Sequence, residues 1–230
     1  MILGEAGPSD HQMLLGLTNF LKNTKSTKPL FLSVSTIETH VGFQTNPVDG
    51  IKYKNGENET LNLVHNYDDA FGIFWNYFKN SKYTKNTIII LTGDHALYPN
   101  TDYKKVAGED WIPSVYDDLS LIIYDPIHVL PKELTVNASS IDLAPTVLQL
   151  LDINPHQKNS FMGTSIFDNK AHNTSFGISA YSDFNFYLND NGVIINKKLK
   201  DVHNKNIQLT YQSLHHVLEY ANYLRLKNQW

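Results

Sequence analysis

Apolar residues follow a helical spacing in three separate parts of the chain. The first predicts a helix over 10–22, where Ser9 and Gln12 form a capping box at the start. The second has an apolar face that continues for about four turns and comprises Leu63, Tyr67, Ala70, Phe71, Phe74 and Phe78. The third predicts a helix over about 141–151. Each helix has one apolar face to bury, so each is expected to pack against another element.

Apolar runs predict three buried strands, at 29–35, 87–92 and 119–124, of which the run at 87–92 is uninterrupted. Runs without polar alternation are typical of strands covered on both faces. Because the strands alternate with helices, the pattern predicts an α/β fold whose sheet is largely parallel, with these three strands adjacent. The stretch 42–58 is rich in glycine, asparagine and proline, which predicts a loop with a turn at Asn55-Gly56.

The tail has a different pattern. Short segments at 177–182, 184–188 and 192–196 predict a small antiparallel β meander, and a final helix is predicted over 208–226. No internal repeat or low-complexity tract occurs. We therefore expect a single domain over 1–230, with a core at 29–167 and a β-rich appendage and last helix over 175–230.

Composition narrows the class of protein. Hydrophobic residues make up 41% and charged residues 18%, as in ordinary globular proteins rather than disordered ones. The formal net charge is -4 and no long basic run occurs, which argues against nucleic acid or an anionic membrane surface as the main partner. No stretch approaches the roughly 20 apolar residues of a membrane span, and no signal peptide opens the chain. The abrupt start looks like a cut inside a longer protein, so any anchor or secretion signal is expected upstream.

Two scarce residue types restrict the chemistry. The chain has no cysteine, which excludes a disulfide framework, a thiolate nucleophile and a cysteine-type zinc site. Arg225 is the only arginine. A site that gripped a phosphate ester through a bidentate guanidinium would therefore need that group from elsewhere.

Polar clusters follow two of the predicted strands, at 36–40 and 93–95. Ligands of open α/β sheets bind beyond the carboxyl ends of the strands. Asp94 and His95 carry donors suited to Mn²⁺, Zn²⁺ or Mg²⁺, and a bound ion of this kind polarises an ester oxygen. From spacing alone, an Asp-His pair after a strand is more often turn chemistry than a metal site, and a single loop histidine such as His40 is usually solvated. Glu38 is interpreted as a surface carboxylate and Asp142 as a helix N-terminal cap.

A resemblance to a known family runs through the same residues. The chain resembles the sulfatase family of the alkaline phosphatase superfamily, and specifically its phosphoglycerol transferase and lipoteichoic acid synthase branch. The similar blocks occur in the family's order and cover about 29–167; they lie at 29–40, at 67–72 with 86–95, at 141–151 and at 161–167.

The resemblance implies a fold and a mechanism. The implied fold is an α/β, sulfatase-like sheet flanked by helices, with the small antiparallel meander and C-terminal helix added. Asp94 and His95 match the pair that completes the metal shell, with Mn, Mg, Zn or Ca as the ion, and His40 matches a histidine that contacts the substrate head group. The family's nucleophile, a threonine or formylglycine, attacks phosphorus or sulfur. That nucleophile and a further acidic ligand have no counterpart in 1–28, so no catalytic residue is expected within this chain.

The resemblance also implies partners and a location. We expect a phospho- or sulfo-ester substrate, which a lipid or glycan would carry, and an N-terminal half of the same protein. The implied enzyme is extracytoplasmic and anchored in the membrane through an upstream region. Two alternatives stay open: a non-catalytic domain that binds an anionic glycan or lipid head group, and a phosphoethanolamine transferase, whose branch usually carries disulfides.

Overall fold

The computed structural model describes the chain in two compact units, Met1–Val129 and Leu130–Trp230. The described residues are 8–40, 50–95, 105, 119–154, 161, 163–168, 175–178, 185–188, 194–197, 223 and 226–227. A single domain over 1–230 stays a prediction.

Two helices form the framework of the first unit. Helix α1 spans Asp10–Asn23, and helix α2 spans Glu59–Phe78. The Ser9 hydroxyl accepts the Gln12 N–H at 3.2 Å, as predicted for an N-cap. The Gln12 side-chain oxygen is buried without a partner, so the reciprocal half of the predicted capping box is not formed. The bounds of both helices nevertheless agree with the spacing of their apolar residues.

The core of this unit lies between α1 and α2. Its buried residues are Leu14, Leu21, Ala70, Phe74 and Phe78. A tyrosine at the edge of this core is hydrogen-bonded to helix α1: the Tyr83 hydroxyl donates to the Leu21 carbonyl at 3.0 Å. Two of the five buried residues are phenylalanines, and further aromatic rings, Tyr83 among them, pack against the cluster from its edge.

Strands β1, Ile89–Thr92, and β2, Leu121–Tyr124, form a two-stranded sheet. They pair antiparallel, with Ile89 opposite Tyr124 and Thr92 opposite Leu121. The predicted parallel arrangement is wrong for this pair. An apolar run reports only that a strand is covered, and such a run looks the same in either direction.

The third predicted strand does not join this sheet. Residues 29–35 have no strand ladder among the described parts of the chain, although their sequence is apolar. The apolar residues of this segment are exposed to solvent. Phe31 is 79% exposed, and Leu30, Leu32 and Val34 are exposed as well. The predicted adjacency of three strands in one sheet is therefore wrong for this segment. A strand with apolar residues on both faces needs neighbours that the described residues of this unit do not provide.

The second unit contains a short helix and a small sheet. A 3₁₀ turn at Ser140–Asp142 leads into α3, Leu143–Leu150, which confirms the helix predicted over 141–151. A three-stranded antiparallel sheet comprises β3, Ser175–Ile178, β4, Asn185–Leu188, and β5, Ile194–Lys197, in that order. The antiparallel meander is thus confirmed, with shifted strand bounds.

The predicted last helix, 208–226, lies outside the described residues except for Tyr223 and Leu226, which are helical. Over the part of the chain that the structure describes, no helix is long and apolar enough to cross a membrane.

The start of α3 is tied to the segment that follows it in the chain. Asp142 lies at the N-cap position of α3, as predicted, but its side chain makes no capping hydrogen bond to that helix. Instead, Asp142 Oδ2 accepts the Ser139 N–H at 2.8 Å in a capping box that starts at Ser139, and Asp142 Oδ1 accepts the Thr164 N–H at 2.9 Å. Thr146 is fully buried; its hydroxyl donates to the Asp142 carbonyl at 2.6 Å and accepts the Ile166 N–H at 3.0 Å. Residues 164–166 are therefore held by two side chains of the helix start.

We expect Thr146→Val to lower the free energy of unfolding by about 1–3 kcal/mol, because valine has the same shape but leaves the buried Ile166 N–H without an acceptor. Thr146→Ser is the matched control, since it keeps the hydroxyl and loses one methyl group, worth about 1 kcal/mol or less. Urea unfolding of both variants and the wild type measures the difference. A valine variant as stable as the wild type would contradict this role of the hydroxyl.

Candidate functional site

The loop after β1 carries the aspartate and histidine that the sequence singled out. Thr92 ends the strand, and Gly93, Asp94 and His95 follow it. A Cβ atom on Gly93 would lie 3.3 Å from Leu119 Cδ2 and 3.5 Å from the His95 carbonyl oxygen. The absence of a side chain at Gly93 therefore lets the loop turn closely beside the start of β2.

Asp94 and His95 lie side by side in an open position. Asp94 Oδ1 accepts the His95 backbone N–H at 3.0 Å. Asp94 Oδ2 is 3.6 Å from His95 Nε2, which exceeds hydrogen-bonding distance. The side chains are 89% and 46% exposed, respectively. Carboxylate and imidazole thus present neighbouring donor atoms to solvent without being bonded to each other.

His40 lies beside this pair. The ring centroids of His40 and His95 are 6.5 Å apart, and the rings meet edge to face. The His40 N–H donates to the Ile37 carbonyl at 3.0 Å, which closes a turn at the end of the Thr36–His40 loop. The structure therefore brings together His40, Asp94 and His95, although they come from two loops distant in sequence. Their roles toward substrate and metal stay predictions.

Glu38 is buried, being 5% exposed, so its interpretation as a surface carboxylate is wrong. Glu38 Oε2 accepts the Asp10 N–H at 2.7 Å and the Asn66 side-chain amide at 3.0 Å. In return, Asp10 Oδ1 accepts the Ile37 N–H at 3.1 Å. Burial raises the pKa of Asp10, although backbone N–H groups of the loop act in the opposite direction. Two helices thus hold the loop that carries His40.

Sequence reasoning missed the buried asparagines of α2. Asn62 and Asn66 are fully buried, and their side-chain oxygens accept the N–H groups of Tyr53 at 2.9 Å and Ile51 at 3.1 Å. A signal was present, because Asn62 and Asn66 continue the four-residue spacing of Ala70, Phe74 and Phe78. Polar residues in line with an apolar stripe are placed for buried hydrogen bonds.

A second aspartate-histidine pair follows β2. Asp125 Oδ2 lies 2.7 Å from His128 Nδ1, and Asp125 Oδ1 accepts the Ile127 N–H at 2.7 Å. Burial acts to raise the pKa of Asp125, but the His128 side chain and the backbone N–H groups outweigh it and lower that pKa. Because β1 and β2 are antiparallel, this pair lies at the opposite end of the sheet from Asp94 and His95. It closes a local turn.

The side chains of Asp94 and His95 are of types that bind divalent ions, but two ligands are too few for a complete site. Carboxylate and imidazole suit Mn²⁺, Zn²⁺ or Mg²⁺. Catalytic zinc sites use three protein ligands, whereas Asp94 and His95 supply two. Among the residues that the structure describes, no group of three or more histidine, aspartate or glutamate side chains could hold an ion. A complete site therefore calls for at least one further ligand.

Two similar proteins are phosphoglycerol transferases I of Xanthomonas. The one from Xanthomonas axonopodis pv. citri is 27% identical over 134 residues, which cover 56% of this chain and 18% of that protein. The one from Xanthomonas campestris pv. campestris is 25% identical over 158 residues, which cover 66% of this chain and 21% of that protein. The chain thus spans about a fifth of the length of the curated relatives it matches.

Two solved structures share the fold. A protein of the alkaline phosphatase superfamily from Vibrio parahaemolyticus matches with a TM-score of 0.71 and 19% identity, over 100% of this chain and 57% of its own. The lipoteichoic acid synthase LtaP from Listeria monocytogenes matches with a TM-score of 0.56 and 17% identity, over 94% of this chain and 59% of its own. These matches confirm the predicted fold class. The sulfatase family model matches residues 2–153, which is more than half of the sequence, so this chain belongs to the sulfatase family.

Proposed function

We propose that this chain is the metal-binding C-terminal part of a transferase or hydrolase that acts on phosphate esters of the phosphoglycerol type or on sulfate esters. The observation that carries the proposal is the meeting of His40 with Asp94 and His95 beside the end of β1, with ring centroids of the histidines 6.5 Å apart. These are the residues that the family resemblance selects. The similarity to phosphoglycerol transferases I favours a phosphate ester over a sulfate ester.

Each of the three side chains has a task in this reaction. Asp94 and His95 would hold a divalent ion, Mn, Mg, Zn or Ca, together with a further acidic ligand from outside this chain. When bound, such an ion polarises the ester and neutralises charge that develops in the transition state. His40 is exposed beside them and would donate a hydrogen bond to the substrate head group. The nucleophile comes from another segment of the protein.

The exposed apolar segment supports a missing half of the catalytic domain. Residues 30–34 present apolar side chains to solvent, and Ile122 of β2 is 60% exposed. An exposed apolar segment of this kind is expected to be covered by further parts of the protein. The matched structures are longer than this chain, which covers 57% and 59% of them. We therefore take an N-terminal half of the same protein as the partner of this surface and as the source of the nucleophile.

The family resemblance also implies where the enzyme works. The phosphoglycerol transferase and lipoteichoic acid synthase branch implies an extracytoplasmic enzyme, so we place the catalytic part outside the cytoplasm. Its membrane anchor would belong to the same upstream region.

We expect this chain alone to turn over neither nitrophenyl phosphate, nitrophenyl sulfate nor a phosphoglycerol lipid, because the proposed source of the nucleophile and of the acidic ligand is the upstream half. Activity toward the phosphoglycerol lipid should appear when the upstream half is added, and Asp94→Ala should abolish it. The assay is release of nitrophenol or of diacylglycerol after re-purification. Turnover by this chain alone that disappears in Asp94→Ala would contradict the fragment proposal. A completed protein that binds anionic glycans or head groups without turnover would instead support the non-catalytic alternative.

A further inference from the structure

Asp10, Glu38 and Asn66 lie in three different elements and meet in one buried cluster. Asp10 begins α1, Asn66 lies in the middle of α2, and Glu38 belongs to the Thr36–His40 loop. We propose that these three side chains act as a clamp that positions His40 relative to His95, so that Glu38 is a positioning residue of the site. The inference deepens the proposed function and rests on it, because there His40 contacts the substrate head group.

The clamp joins the loop to both helices, and its connection to α1 runs in both directions. Glu38 accepts from the Asp10 backbone and the Asn66 side chain, while Asp10 accepts from the loop backbone at Ile37. His40 is only two residues beyond Glu38, and the His40–Ile37 hydrogen bond makes the intervening turn compact. A shift of Glu38 is therefore passed on to the His40 ring.

On its N-terminal side, the loop is not anchored by a sheet. Residues 29–35 have no strand ladder within the described parts of the chain. The helical pair consequently supplies the anchor for this end of the loop. Asn66 also accepts the Ile51 N–H, so one side chain of α2 holds chain segments on both sides of His40.

Burying the two carboxylates of the clamp costs free energy that a purely structural connection between these elements would not require. Asp10 is fully buried and Glu38 nearly so, and burying carboxylates removes their hydration. Burial raises the pKa of Asp10, which reflects that cost. Neutral or apolar side chains would often join the same elements with equal or better stability. What two carboxylates and an amide add is a fixed direction for each bond, and therefore a fixed loop position.

Two substitutions at Glu38 distinguish a role that depends on the position of its carboxylate from a role that depends on its charge. Glu38→Asp keeps the charge but is one methylene shorter, so the carboxylate cannot reach both donors from the present loop position. Glu38→Gln keeps the length and an oxygen acceptor but removes the charge. A positioning role makes the aspartate variant the more damaging, whereas a purely electrostatic role makes the glutamine variant the more damaging.

The first measurement uses this chain without substrate. With histidine labelled, NMR cross-relaxation between the ring protons of His40 and His95 reports their contact, which should be lost in Glu38→Asp and kept in Glu38→Gln. Asn66→Ala, which removes one donor to Glu38, should weaken the contact. Its matched control is Asn62→Ala, because Asn62 is an equally buried asparagine of α2 whose oxygen bonds to Tyr53 instead.

The second measurement uses the enzyme completed with its upstream half and a phosphoglycerol ester as substrate. Glu38→Asp should raise KM or lower kcat/KM by about 10- to 100-fold, as misplacement by about 1 Å can do. The Mn²⁺ affinity of the Asp94–His95 pair should not change in this variant. A general loss of structure would lower that affinity as well.

Three outcomes overturn the clamp: a folded Glu38→Asp that keeps the ring contact, a Glu38→Gln at least as damaging, or equal effects of Asn66→Ala and Asn62→Ala. If Glu38→Asp does not fold, the comparison of Asn66→Ala with Asn62→Ala tests the clamp instead. A completed wild-type enzyme without turnover would overturn the proposed function alone, and the ring contact would still decide the clamp.

Discussion

Phe78→Ala is expected to lower the free energy of unfolding of the first unit by about 3–5 kcal/mol. Phe78 is 1% exposed at the end of α2. Its ring stacks with that of Trp75 at 5.5 Å and meets that of Tyr124 edge to face at 5.5 Å. The substitution therefore removes apolar contacts on several sides and leaves a cavity between a helix and β2, which rigid neighbours fill only in part. Chemical unfolding followed by tryptophan fluorescence measures the loss.

Phe31→Ala is the matched control, because it makes the same chemical change at a position that is 79% exposed. In this chain we expect a change within about 0.5 kcal/mol. In the protein completed with its upstream half, the same substitution should cost several kcal/mol, since Phe31 is then expected to be covered. A Phe31→Ala effect that stays small in the completed protein would contradict the partner proposed for the apolar segment.

The contrast between these two phenylalanines shows what the sequence can predict. Helix bounds followed directly from apolar spacing, because a helix buries its face through residues of the same segment. A strand is different, since its neighbours come from distant sequence. The composition of 29–35 therefore predicts a buried strand, while among the described residues this segment has no ladder. The direction of β1 and β2 was likewise not encoded in their apolar runs.

The candidate site was predictable in part for a related reason. Asp94 and His95 directly follow a strand, and strand ends are where α/β sheets carry their sites. Glu38 and Asn66 gave no such local signal, because a polar residue becomes buried only through tertiary contacts. Asn66 lies in line with the apolar stripe of α2, and this position is the feature of the sequence that indicates its burial.

The second large effect is expected at Asp94 and His95, the proposed metal pair. His95→Ala in the completed protein should weaken divalent-ion binding by about 100-fold or more, since losing even a residue that only orients a ligand costs 10- to 100-fold. Stability without metal should hardly change, because the His95 side chain is 46% exposed. Turnover should fall together with metal occupancy. Calorimetric titration with Mn²⁺ and Zn²⁺, beside unfolding of the metal-free protein, measures both properties.

His128→Ala provides a control with the same pair of residue types. His128 also lies beside an aspartate after a strand, with Nδ1 2.7 Å from Asp125 Oδ2, but at the opposite end of the sheet. Its loss should leave ion binding and turnover unchanged and lower stability slightly, because Asp125 loses a hydrogen bond. In this chain alone, the wild type should bind either ion weakly, since two protein ligands are too few for a tight site. Wild-type Mn²⁺ or Zn²⁺ affinity in the completed His95→Ala protein, or equal losses in His95→Ala and His128→Ala, would refute Asp94 and His95 as the metal pair.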